Sequence, residues 1–311
     1  MPTVMITGGT GMVGQNLTTA LISRGYQVII MSRNPGKYKN HEHVRYAEWD
    51  INTQKIDEGS VSEADCIVHL AGAGVMDKRW TPRYKKEILS SRVKSSEFLV
   101  KALSEHPNHV KTFISASAIG WYGRDDRMHP MPFVEPDKPD PNFLGETCRL
   151  WEKSVEPFTE MGKRLVKLRF GIVLSRKGGA LSEFKKSFRF GIAAILGSGR
   201  QVISWIHIED LCRMIIYAIE NSHVGGSYNA VAPVPVSNKE LTLTLARSLK
   251  NNFFIPVHVP QFFLKLFLGE RSIEVLKSAT VSDEKIKSEG FIFLYPGIES
   301  ALKQLTKNSG S

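Results

Sequence analysis

The sequence predicts an α/β fold, a doubly wound parallel sheet joined to a smaller, discontinuous second domain. Two observations carry this. Short continuous apolar runs alternate with longer amphipathic stretches through roughly the first half of the chain, the pattern of strands buried on both faces of a parallel sheet. Between the first run and the first amphipathic stretch lies Gly8-Gly9-Thr10-Gly11-Met12-Val13-Gly14, a glycine-rich turn where a dinucleotide fingerprint belongs.

Taken in order, residues 4–7 read as a strand and 13–24 as a helix stopped by Gly25. Residues 28–31 make the next strand, 46–49 a third ending at Asp50, and 66–71 a fourth. Residues 85–103 space Ile88, Val93, Leu99 and Leu103 for a helix, and 112–116 and 166–170 are two more strands. Past Gly178 the pattern changes to a basic, aromatic stretch over 182–196. Residues 205–221 and 227–231 return to sheet and helix; 232–311 mixes helices with Pro256 and Pro260, a closing strand at 290–293 and a polar tail at 307–311. The expected division is 1–175 with 203–231 as a dinucleotide domain, and 176–202 with 232–311 as a substrate domain.

Composition narrows the function. At 311 residues, with 42% hydrophobic and 23% charged residues, the chain is neither disordered nor fibrous. No apolar run is long enough to span a bilayer, and the first residues already form a strand rather than a leader. Three dispersed cysteines, Cys66, Cys148 and Cys212, exclude a disulfide framework and point to the cytoplasm. The nine histidines show no paired metal spacing, so no metal is expected. The net charge of +10 is concentrated between Lys163 and Arg200. Without a helix-turn-helix, zinc-finger or RNA motif this stretch reads as a solvated face or an anionic-substrate site, with Lys185 and Arg189 as contacts, and not as a nucleic-acid surface. A small-molecule substrate and a monomer or homodimer are expected, with no membrane partner.

The glycine turn assigns the cofactor contacts. Gly8 permits the turn, Gly11 lets backbone approach a pyrophosphate, and Gly14 lets helix and strand pack closely. Thr7 precedes this turn, and Met12 and Val13 offer the first N–H groups of the helix. At the end of the second strand stand Ser32 and Arg33, where an NAD site usually carries an acid. A carboxylate would repel a 2′-phosphate, whereas serine and arginine bind one. NADP(H) is therefore expected over NAD(H). Asp50 and Leu70-Ala71-Gly72 end neighbouring strands and complete the set.

The motifs TGGTGMVG, HLAG, SASAIGWYG, LRFGIVLS and WIHIEDL, in this order, resemble the extended short-chain dehydrogenase/reductase superfamily. Lys78-Arg79-Trp80-Thr81-Pro82, Ser91-Arg92 and the segment from Gly290-Phe291 to Tyr295-Pro296 resemble one atypical branch. That branch is labelled a nucleoside-diphosphate-sugar epimerase family and carries its own small C-terminal domain. The resemblance implies a Ser, Tyr, Lys site, with Ser117 as the serine and Ser115 its alternate, itself a cofactor contact. The expected YxxxK is absent: Phe143 and Thr147 stand in the Tyr and Lys places, so Tyr122 is the nearest phenol left for proton transfer. Arg92 is counted with the cofactor contacts; it binds substrate, lowers a neighbouring pKa or forms a structural ion pair. Arg79 and Trp80 sit at the mouth of the site as substrate contacts. His207 reads as structural, at the start of a helix capped by Asp210. These expectations define an NADP-dependent oxidoreductase or epimerase-like enzyme on a small anionic, nucleotide-sugar-like substrate. The alternative is a non-catalytic NADP sensor or regulatory protein.

Overall fold

A computed structural model describes residues 1–125, 132–249 and 253–307. The last four residues of the polar tail lie outside the described residues. The strands are β1 (Thr3–Thr7), β2 (Gln27–Ser32), β3 (Val44–Asp50), β4 (Lys55–Ile56), β5 (Cys66–His69), β6 (Thr112–Ala118) and β7 (Arg164–Phe170). Then come β8 (Ile172–Leu174), β9 (Ile192–Leu196), β10 (Val202–Ile203), β11 (Trp205–His207), β12 (Gly226–Ala230), β13 (Val236–Ser237) and β14 (Ile255–Val259). The helices that matter below are α1 (Met12–Ile22), α2 (Glu58–Glu63), α3 (Pro82–Glu105), α4 (Phe143–Ser154), α5 (Pro157–Glu160), α6 (Gly179–Phe188), α7 (Ile208–Glu220), α8 (Asn238–Ser248) and α9 (Gln261–Leu268).

Eight strands form one sheet in the order β12-β7-β6-β5-β1-β2-β3-β4. All its pairings are parallel except β3 with β4. This is the doubly wound sheet that the sequence predicts, and its order reverses at β1. Strand residues alternate between two cores. Val4, Ile6, Val28, Ile30, Val68 and Ile114 pack on one face against Leu17 and Leu21 of α1 and Leu211 and Ile215 of α7. Met5, Ile29, Met31, Ile67 and Phe113 pack on the other face against Phe98, Leu99 and Leu103 of α3 and Phe158 of α5. Burial on both faces is why these strands read as unbroken apolar runs. The elements after β8 other than β12 lie outside this sheet, including the pair β9 with β14.

Three local expectations change. Helix α3 begins at Pro82, three residues early, because Thr81 accepts from Tyr84 N–H and Pro82 fits its first turn. The cap of α7 is His207, whose Nδ1 accepts from Glu209 N–H at 3.1 Å; Asp210 is turned elsewhere. Residues 290–293 are not a strand. Gly290 and Phe291 N–H turn back on Lys287 and Ile286 O, and from Ile292 on the partners lie on α7: Arg213 donates to Ile292 O at 2.8 Å, and Asp210 accepts from Leu294 and Tyr295 N–H, each at 2.8 Å. Phe291 is buried while Phe293 meets it edge-on at 4.9 Å. Alternating aromatics here serve side-chain packing, not a ladder.

Candidate active site

The carboxyl ends of β1, β2 and β5 form a cradle. Gly8 has φ +71°, and a Cβ there would lie 2.8 Å from the Leu70 carbonyl carbon, so only glycine fits between β1 and β5. At Gly14 a Cβ would lie 2.4 Å from Gly9 Cα. Gly11 is the N-cap of α1 and no side chain caps the helix, so the N–H groups of its first turn, at Met12 and Val13, are open to a ligand. The N-terminus of α6, also without a side-chain cap, meets the same place, with the Gly179 Cβ position 3.0 Å from Met12 Sδ. Two uncapped helix N-termini of ten or more residues favour an anion between them. This geometry fits a dinucleotide pyrophosphate.

At the end of β2, Ser32 is half-buried and its Oγ accepts from Asn34 N–H at 3.2 Å. Arg33 is exposed, and among the described residues it carries no ion pair. One 3-10 turn, Pro35–Lys37, adds Lys37 to the same edge, a cation the sequence reading passed over. Asp50, at the end of β3, accepts from Asn52 N–H at 2.9 Å and so folds onto its own turn. Leu70 N–H donates to Thr7 O at 3.0 Å, which ties the two strand ends together. Ala71 and Gly72 follow, with Gly72 leaving space for Arg92, whose Cζ lies 3.2 Å from where a Cβ would be.

Behind the cradle lies a buried histidine. His69 Nδ1 is 2.6 Å from Thr7 Oγ1, and Nε2 is 3.0 Å from Ser95 Oγ. Burial first, then the charge of Arg92, lowers its pKa to about 3, so the ring is neutral. It fastens β1 and β5 to α3.

The β6 end differs from the expectation. Ser115 Oγ donates to Ala116 O at 3.0 Å. Ser117 Oγ donates to Glu152 at 2.8 Å, and Glu152 is paired with Arg169 Nε at 2.8 Å. Tyr122 donates to Asn229 Oδ1 at 2.7 Å and accepts from Arg169 Nη1 at 2.9 Å. The Arg169 guanidinium lies 3.7 Å over Trp121. Ser117 and Tyr122 are thus brought together through a buried Arg169–Glu152 pair, with both hydroxyls committed to it. Burial pushes the fully buried Tyr122 phenol up to about 12, which disfavours it as a general acid or base near neutral pH. Arg169 within the apolar run LRF was the sequence signal for this network, since a charge in a central strand needs a buried partner.

Helix α4, capped by Asn142, carries Phe143 and Thr147. Phe143 meets Trp80 edge-on at 5.1 Å, and Thr147 Oγ1 donates to Phe143 O at 2.7 Å. Leu144 and Cys148 face the strand end instead: they lie 3.3 and 3.7 Å from the Gly120 Cβ position. Cys148 Sγ sits 3.6 Å from Ala118 O, and burial pushes its thiol up to about 12. Neither Phe143 and Thr147 nor Leu144 and Cys148 supply an acid–base pair.

The mouth is closed by residues 73–81. Trp80 Nε1 donates to Val75 O at 2.8 Å. Arg79 Nη2 donates to Leu266 and Phe267 O, each at 3.4 Å, so its charge is spent on the end of α9. Arg271 Nη1 donates to Met76 O at 2.7 Å, and Lys85 pairs with Glu270. Arg92 Nη1 donates to Ala73 O at 3.0 Å and Ile88 O at 2.9 Å, and its Cζ lies 5.0 Å over Trp151. Among the described residues it has no carboxylate partner, so the structural ion pair is not formed. Lys185 and Arg189 sit on α6 and at its C-cap; Lys185 is half-buried and Arg189 exposed. Burial first, then the charge of Arg176, lowers the Lys185 pKa. Among the described residues no three His, Cys, Asp or Glu side chains converge on a metal-sized point.

Residues 4–231 match the NAD dependent epimerase/dehydratase family, and residues 259–305 match a domain of unknown function, DUF1731. The chain is 37% identical to an epimerase family protein, YfhF, of Bacillus subtilis over 303 residues, 97% of each chain. A human epimerase family protein, SDR39U1 isoform 2, solved with NADPH, superposes with a TM-score of 0.84 at 28% identity, covering 98% of this chain and 99% of that one. A nucleoside-diphosphate sugar epimerase from Corynebacterium glutamicum superposes with a TM-score of 0.75 at 31% identity, covering 98% of this chain and 58% of that one.

Proposed function

Because the chain belongs to the NAD dependent epimerase/dehydratase family, we propose that it is an NADP-dependent oxidoreductase or epimerase-like enzyme. Its substrate is a small anionic molecule of the nucleotide-sugar kind, and it works as a cytoplasmic monomer or homodimer. Residues 1–175 with 203–231 hold the cofactor, and 176–202 with 232–311 hold the substrate. When bound, the nicotinamide supplies or accepts hydride. The observation that carries the reading is the cradle: glycines at 8 and 14 that no side chain can replace, beside a β2 end with Ser32, no acid, and an Arg33 that has no ion pair among the described residues. The NADPH of the human structure supports the same choice.

In this reading the α1 turn takes the pyrophosphate, and Arg33 with Lys37 takes the 2′-phosphate. Arg92, without a carboxylate partner among the described residues, presents a cation beside Gly72 and Ala73 that polarises a substrate oxygen. Ser117 and Tyr122 act as positioning groups: through Arg169 and Glu152 they set the end of β6 under the reacting carbon. Arg33→Ala should weaken NADPH binding by about 1.5–3 kcal/mol, the worth of a charged hydrogen bond, and leave NADH binding unchanged. Fluorescence titration with both cofactors checks this, and equal affinities in the unaltered protein refute the NADP choice.

The non-catalytic reading is favoured by one observation, that neither Phe143 and Thr147 nor Leu144 and Cys148 supply an acid–base pair. It expects no hydride transfer from NADPH to any of a panel of carbonyl compounds. Turnover that falls at least tenfold in Arg92→Met settles for the enzyme.

A further inference from the structure

The most apolar exposed surface lies on the elements after β8, away from the dinucleotide cradle. On α9 the residues Phe262 and Phe267 are 68% and 67% exposed, with Phe263 and Leu266 beside them. Only Leu264 of this helix is buried. The chain enters α9 directly from β14, whose first four residues are exposed. In the β9–β14 ladder Ile255 pairs with Ile192 and Val257 with Ala194. Phe190 and Phe253 stand just before these two strands, 81% and 91% exposed. A water-facing surface of this many large apolar side chains has a partner.

Charge decides which one. Exposed Lys186 and Arg189 stand just before Phe190 and β9, Arg200 follows β9, and Lys265 lies within α9. The exposed acids Glu183 and Glu270 are neutralised by Lys186 and Lys85, which leaves Arg189, Arg200 and Lys265 as the cations of this face. The whole chain carries +10. Two such faces repel one another, whereas an anionic lipid surface attracts each. We propose that the face formed by α9, β14 and β9 docks on an anionic phospholipid bilayer, with Phe262, Phe263, Leu266 and Phe267 entering the acyl boundary and the flanking lysines and arginines meeting the headgroups. This contact is peripheral, since no helix among the described residues is long and apolar enough to cross a membrane. It revises the expectation of no membrane partner and stands independently of the proposed reaction. The docked helix holds the mouth of the site through Arg79, so a substrate borne by the membrane would arrive beside the residues 73–81 that close it.

The test is co-sedimentation of the full chain with two kinds of vesicle, phosphatidylcholine alone and equal parts phosphatidylcholine and phosphatidylglycerol. The protein should pellet with the anionic vesicles and stay soluble with the neutral ones. Phe262→Ser with Phe267→Ser, both exposed and so without effect on the melting temperature, should weaken partitioning at least tenfold. Arg200→Glu with Lys265→Glu should do the same and flatten the response to salt. Failure to pellet with either vesicle overturns the proposal, as does equal pelleting with both. A dimer in sedimentation velocity that the phenylalanine variant splits, with no vesicle binding, assigns the face to a second copy and also overturns it.

Discussion

At the scale of single residues, His69 is the clearest case of a group whose protonation state is fixed by its surroundings. Its ordinary pKa is 6.5 and burial brings it to about 3, so the folded chain keeps it neutral where the unfolded chain protonates it. Stability from this residue is therefore complete above pH 6.5 and lost as pH falls toward 3, with a slope of about 1.4 kcal/mol per pH unit. Denaturant titrations of the wild type and His69→Gln across this window should show the slope in the first and its loss in the second. Parallel curves would mean that the ring is protonated in the fold. Its place in HLAG, at the end of an apolar strand, was visible in the sequence; its partners Thr7 and Ser95 were not, because 62 and 26 residues of chain separate them from it. The same distance in sequence hid Glu152 from Ser117, which lies 35 residues away.

At the scale of elements, the glycine turn and the strands around it were legible because their causes are local. A parallel strand is apolar throughout, and the turn needs glycine where a Cβ would strike backbone. Gly14→Val tests that cause: the added atoms meet Gly8 O and Gly9 backbone under 3 Å away, so α1 must tilt off β1. The variant should stay folded, at a cost of about 1–3 kcal/mol of stability, and lose NADPH binding. Circular dichroism with a cofactor titration checks both; unchanged binding would place the cofactor elsewhere. The register of α4 was less legible. Counting back from Trp151 and Glu152 gives the helix but not which neighbours its residues meet, and Trp80 packs on Phe143 from a loop 63 residues earlier in number. The segment 290–293 misled for the converse reason, since a short continuous apolar run looks alike in a strand and in an irregular segment pinned by side chains.

At the scale of the whole molecule, the WIHIEDL and GFIFLYP motifs meet in space. His207 stacks on Tyr295 at 3.9 Å and its Nε2 lies 3.1 Å from Gln304 Oε1, while Asp210, fully buried, holds Leu294 and Tyr295 and pairs with Arg213 at 2.9 Å. One carboxylate thus anchors the closing segment to the sheet. Asp210→Ala should cost about 1–3 kcal/mol for each main-chain N–H left unsatisfied, and Asp210→Asn, which keeps one acceptor, about half as much. A fall in melting temperature together with proteolytic cleavage near residue 292 is the expected result, and resistance equal to wild type would show that the aromatic contacts suffice. That anchor also has a consequence in time. The two main-chain donors to Asp210 lie 84 and 85 residues downstream of it. At the usual pace of synthesis they leave the ribosome roughly 4–17 s after it. For that interval Asp210 has its neighbour Arg213 to accept from but not the segment it anchors, so the nascent chain passes through an open form that chaperones and proteases meet first.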